Sequence, residues 1–117
     1  MTNLKDNPLK ILIGRELSSV EFVRDYIQLR FDGPLLTIVT DPVLEILSNE
    51  FSRTSPGFCD GLCNLIGFQV IDTVLDDKEI NLHFVDNQKI RISLNQDDRK
   101  TEEAAIFDAE NGKWWSW

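Results

Sequence analysis

The sequence predicts a mainly β protein with one short helix, an α+β chain. Two pseudo-repeated three-stranded antiparallel meanders form a sandwich or a barrel-like roll, and a C-terminal hairpin is added to them. Three observations predict this. The first is the stretch 26–40, where Ile27, Leu29 and Phe31 alternate with Gln28 and Arg30, Asp32-Gly33 supplies a turn, and Leu36 and Ile38 resume beyond it. Period-2 alternation around such a pair is a hairpin pattern. The second is the return of that design at 79–94, with Ile80, Leu82 and Phe84, a turn at Asp86-Asn87, then Ile90, Ile92 and Leu94. The third is the spacing. Leu12-Ile13-Gly14 matches Leu65-Ile66-Gly67 at 53 residues, as do Leu17 with Val70 and Phe31 with Phe84. One residue inserted in the second turn then carries Leu36 onto Ile90 and Ile38 onto Ile92 at 54. Two copies make a duplicated unit within one domain, because a meander with one apolar face must bury it against another layer.

The elements follow in order. Residues 1–7 are polar and read as a frayed end. Pro8 opens a helical turn through Leu9 and Leu12 that Gly14 stops, and 60–66 is its counterpart, stopped by Gly67. These turns open the repeat units, about 8–40 and 60–94, in a single domain spanning 1–117. The first strand of each unit breaks alternation, near Ser18-Ser19 and near Ile71-Asp72, which predicts a bulge in both. Leu35 and Val39 make the outer face of the first hairpin apolar, so it needs a cover. Asp41 as N-cap with Pro42 at the first helical position predicts a helix over about 42–51, whose apolar face (Val43, Leu44, Ile46, Leu47, Phe51) supplies that cover. Lys89, Arg91 and Ser93 make the corresponding face of the second hairpin wet. Residues 52–61 are a turn-rich linker, 95–103 an exposed charged loop, and 104–117 a hairpin outside the duplication.

Composition narrows the function. The net charge is −8, which argues against nucleic acid and anionic membrane surfaces and suits a basic protein partner. No apolar run approaches the ~18–20 residues of a membrane span, and the N-terminus lacks the apolar core of a secretion signal, so the expected location is cytoplasmic. Cys59 and Cys63 read as buried free thiols, since nothing suggests export and His83 is the chain's one histidine. With no nucleophile motif and no phosphate loop, no catalytic, cofactor-binding or metal residue is assigned, and whether the chain is an enzyme is left open. The carboxylates Asp72, Asp76, Asp77 and Glu79, like Glu16, Glu21 and Asp25, read as solvated loop charge rather than as an acid–base pair or a cation site.

The candidate interaction surface is Trp114, Trp115 and Trp117, which are all the tryptophans in the chain, with the acidic residues Asp97, Asp98, Glu102 and Glu103. In a strand Trp115 and Trp117 share a face and Trp114 takes the other. One face must be core; the other is free for a partner or a second copy.

The first strand from Gly67 to Val70, the hairpin with Leu82, Phe84 and Asp86, and the final strand with Trp114, Trp115 and Trp117 together resemble a family of small bacterial β-rich proteins of unknown function. Some proteins of this general look accompany polymorphic toxins as immunity proteins. The resemblance implies a non-catalytic role and carries over no active-site residue. The expectation is therefore a binding or interaction protein, in its sharpest form an immunity-like protein. The alternative is a small-molecule-binding or hydrolytic domain with its ligand between the two repeats.

Overall fold

The computed structural model describes residues 7–117. Among these residues ten strands form two five-stranded antiparallel sheets, one in the order β1-β2-β3-β9-β10 and the other β5-β4-β8-β7-β6. The strands are β1 (Ser19–Val23), β2 (Tyr26–Arg30), β3 (Leu35–Ile38), β4 (Val43–Ile46), β5 (Asn49–Phe51), β6 (Val70–Leu75), β7 (Glu79–Phe84), β8 (Gln88–Ser93), β9 (Ala105–Asp108) and β10 (Trp114–Ser116). The mainly β architecture is as expected, and the one α-helix among the described residues is short: α1, Phe58–Cys63. A 3-10 turn at Pro8–Leu12 lies where the first helical turn was expected.

Each sheet is a meander extended by a hairpin. β1-β2-β3 is extended by β9-β10, and β6-β7-β8 by β4-β5. Each hairpin follows one meander in sequence and joins the other in space. The registers correspond position by position. Leu44 lies opposite Ile90, and Phe107 opposite Leu36; Phe51 lies opposite Leu44, and Trp115 opposite Phe107. The C-terminal hairpin therefore stands to the first sheet as β4-β5 stands to the second.

The segments entering the two meanders are joined by reciprocal hydrogen bonds. Gly14 N–H donates to the Val70 carbonyl at 2.8 Å and Gly67 N–H to the Leu17 carbonyl at 2.8 Å. Val70 N–H donates to Arg15 O at 2.9 Å and Leu17 N–H to Phe68 O at 3.0 Å. Both glycines have left-handed φ, 88° and 95°, a region that glycine enters without the Cβ clash other residues meet.

The helix expected over 42–51 does not form; those residues are β4, a turn and β5. A local cap signal is worth about 1 kcal/mol. Against it stands the free edge of β8, which β4 fills with a four-residue ladder while Leu44 enters the core and Glu45 reaches two cations. The turn between β4 and β5 puts Leu47 and Ser48 at φ 51° and 71°, a conformation their side chains do not advertise. The expected pair of bulges is reduced to one, in β6 between Val70 and Asp72; β1 pairs regularly with β2. Residues 1–6 of the end expected to fray lie outside the described residues. Asn7 is anchored: 7% exposed, its Oδ1 accepts from Leu9 N–H at 3.0 Å and its Nδ2 donates to Thr73 O at 3.3 Å.

The core lies between the sheets. Ile27, Leu29, Phe31, Leu36, Ile80, Leu82, Phe84, Ile90, Ile92 and Phe107 are all buried there, with Leu9, Leu12, Phe58 and Leu62 closing the ends. α1 rests on β4 through Gly61, where a Cβ would come within 2.7 Å of Leu44 Cδ2. The outer strands β1 and β6 are blunted against edge pairing. Asn7 covers β6, and Arg53 Nη2 donates to Val23 O of β1 at 2.9 Å. β5 and β10 are only three residues each.

Candidate functional site

The two sheets present different outer faces, and the alternation of each strand sets what they carry. On the first sheet one row crosses the strands as Ser19, Arg30, Leu35, Asp108 and Trp114, and the next as Glu21, Gln28, Thr37, Ile106 and Ser116. Leu35, Thr37, Ile106 and Tyr26 stay half-buried, and Trp114 is 67% exposed. The helix expected to cover this face is instead a hairpin in the other sheet, so its aliphatic side chains remain in contact with solvent. Polar groups on the face are partly tied down. Gln28 Nε2 donates to Thr37 Oγ1 at 3.2 Å, and Arg30 donates to Gly33 O at 2.8 Å while lying 3.7 Å from Glu110.

On the second sheet the face is ionic. Glu45 Oε2 receives Arg91 Nη1 at 2.8 Å and Lys89 Nζ at 3.2 Å, and Glu50 receives Arg91 at 3.3 Å. Partial burial disfavours the Arg91 charge, but the hydrogen bond to Glu50 and the charges of Glu50, Glu45 and Glu79 outweigh it, and the guanidinium pKa is raised. A hollow of about 470 Å³ at one end of this face is lined by His83, Lys89, Glu45 and Ser48, and one of about 340 Å³ at the other by Arg91, Lys78, Glu79 and Asp98. His83 is half-buried between Asp72 and Lys89 in the row. Asn81 is 9% exposed; its Nδ2 donates to Glu79 Oε2 at 2.6 Å, while its buried Oδ1 has no partner.

The residues singled out in the sequence divide between two places. Trp115 and Trp117 pack against the core, and the Trp115 ring stacks on Phe107 with centroids 6.0 Å apart. Trp114 points the other way, onto the outer face of the first sheet. The acidic loop lies at the far end of β10, where Trp117 borders a small hollow with Arg99, Leu94 and Asp76. Asp97, Asp98 and Glu102 are exposed and Glu103 is half-buried; Arg99 holds the loop by donating to Leu94 O at 2.9 Å and Glu102 O at 2.6 Å. Trp114 and the loop therefore form no single patch. Leu35, expected under a helix, is open to solvent instead, and Thr37 and Ile106 on the same face carried no signal in the sequence that marked them.

The acidic cluster of the second unit has local duties. Asp72 Oδ1 accepts from Thr73 N–H at 2.9 Å, and Asp76 Oδ1 accepts from Lys78 N–H at 2.7 Å and Glu79 N–H at 2.9 Å. Those two backbone donors lower the Asp76 pKa below its ordinary 3.8. A carboxyl with a depressed folded-state pKa stabilises above its unfolded pKa and loses that contribution as pH falls through the folded value. Asp76→Ala is therefore expected to lower stability by under about 1 kcal/mol at pH 7, discounted for its exposure to solvent. The gap should narrow below about pH 4; urea unfolding of both proteins at pH 7 and pH 3 measures it, and an unchanged gap would remove the charge from the explanation.

Among the described residues no group of three or more His, Cys, Asp or Glu side chains gathers as a metal site, and no helix is long and apolar enough to cross a membrane. Both cysteines, expected buried, are exposed and free. Phe58, Gly61 and Leu62 take the inward side of α1, which leaves Cys59 and Cys63 facing out. Fold and surface define a two-sheet antiparallel β protein with one open, partly apolar face and one ionic face. Comparison with protein-family models, curated proteins and solved structures gives no match to this chain.

Proposed function

We propose that the chain is a non-catalytic binding protein that receives a basic protein partner on the outer face of its first sheet, in its sharpest form as an immunity-like protein of a bacterial toxin system. The observation that carries the proposal is Trp114, 67% exposed on a sheet face that also carries the half-buried aliphatic side chains Leu35 and Ile106. An exposed indole on a face that also carries aliphatic side chains is the composition of an interface anchor. Charge complementarity selects the partner. Glu21 and Asp108 lie on the face, and Glu110 beyond it already engages Arg30, within a chain of net charge −8. Exposed Asp97 and Glu102 add to the field that steers a cation-rich surface inward. The same charge disfavours a second copy, nucleic acid or an anionic membrane as the occupant. The expected compartment is the cytoplasm, where two free thiols persist.

The alternative, a small molecule held between the repeats for binding or hydrolysis, has less support, because Phe31, Phe84, Leu29 and Leu82 fill that space. The test is a photo-crosslinking amino acid at position 114 in cells, with one at position 89 on the outer face of the other sheet as control, followed by affinity measurement against the captured protein. A basic protein captured only from position 114, bound more weakly at high salt and at least about 30-fold more weakly by Trp114→Ala, is the expected result. Capture of an acidic protein, or affinity indifferent to Trp114, overturns the proposal.

A further inference from the structure

The two cysteines are four residues apart on α1 and both are exposed. Cysteine is among the most buried residue types, so two thiols displayed together on one short helix are a feature the core does not explain. Four helical residues advance about 6 Å along the axis and return to within about 40° of the starting direction, so the two side chains share a face with Cβ atoms about 5–6 Å apart. Asp60, exposed on the adjoining side of the helix, adds negative charge.

We propose that Cys59 and Cys63 form a two-thiolate site for a thiophilic monovalent ion of the Cu(I) class. The separation decides between the chemistries open to a thiol pair. A disulfide needs Cβ atoms about 3.5–4.5 Å apart, closer than the helical spacing allows without unwinding α1. A tetrahedral Zn2+ site needs four ligands, and among the described residues no third His, Cys, Asp or Glu joins the pair. Two sulfurs with metal–sulfur bonds of about 2.3 Å on opposite sides of one ion stand about 4.6 Å apart, which side chains on this face can reach while the helix stays intact. Soft thiolate ligands select Cu(I) over harder ions. Binding is ligand exchange without electron transfer. Each thiol gives up its proton, two sulfur–metal bonds form, and two protons leave for solvent.

The test is anaerobic titration of the reduced full-length protein with Cu(I) against a chromophoric chelator, following the ultraviolet sulfur-to-metal charge-transfer band and proton release. One ion per chain, with two protons released, is expected. Cys59→Ser and Cys63→Ser should each abolish the band while leaving the melting temperature unchanged, because both side chains point to solvent. A variant combining Cys63→Ser with Asn64→Cys keeps two thiols but turns one by about 100°, to about 140° from Cys59 around the helix, and it should also lose the site. Binding retained by either single variant or by the displaced pair overturns the proposal. So does rapid air oxidation of the monomer to an internal disulfide, which would show that the thiols approach more closely than the helix permits.

Discussion

Phe31→Ala and Phe84→Ala are each expected to destabilise the protein by about 3–5 kcal/mol, and by similar amounts. Each ring is at most 1% exposed. Phe84 is the last residue of β7 and Phe31 directly follows the last residue of β2, each on the inward side and close before residues of positive φ: Asp32 at 55° after Phe31, Asp86 at 63° and Asn87 at 55° beyond Phe84. The cost has two parts, the lost burial of a phenyl ring and the cavity left behind in a close-packed interior. Equality is the sharper half of the expectation. The two sheets receive their hairpins in matching registers, so both rings should be enclosed by comparable numbers of neighbours from the facing sheet. Chemical denaturation with matched m-values measures both. A near-neutral result at either position would mean that the two sites relax differently and that the 53-residue spacing carries no structural equivalence.

How much of this was legible in the sequence depends on how local each signal was. The strands β2, β3, β7 and β8 were readable because alternation is local and both turns carry residues suited to positive φ. The inward positions Leu29, Leu82, Leu36 and Ile90 followed from that period alone. Residues 42–51 misled because Asp41-Pro42 is a local cap signal while the force that makes β4 a strand is the unpaired edge of β8, more than forty residues away in sequence. That error had a consequence for function. With a helix assigned to cover the first hairpin, its outer face looked like core, and Leu35 was not counted as surface. The exchange of hairpins between sheets was beyond reach, because nothing in the local pattern of β4-β5 or β9-β10 names the sheet each will join. The cysteines were misjudged for a similar reason. Their spacing gave a shared helical face, but which face α1 turns inward depends on Gly61 meeting Leu44.

Trp115→Ala should cost about 2–4 kcal/mol of stability, whereas Trp114→Ala should change it by no more than about 0.5 kcal/mol. Adjacent residues in a strand point to opposite faces, so the comparison isolates facing from composition. Trp115 leans on the core and stacks on Phe107, with ring planes 22° apart. Its truncation removes that contact and uncovers the edge of the first sheet. Trp114 is mostly solvated already, and its removal should be felt in partner affinity alone. Thermal or urea unfolding of the two variants, together with the partner measurement, separates the outcomes. If Trp114→Ala proved the more damaging to stability, β10 would be paired one residue out of register. Every outward side chain of that strand would then belong inside, and the docking face assigned to the first sheet would lose its anchor.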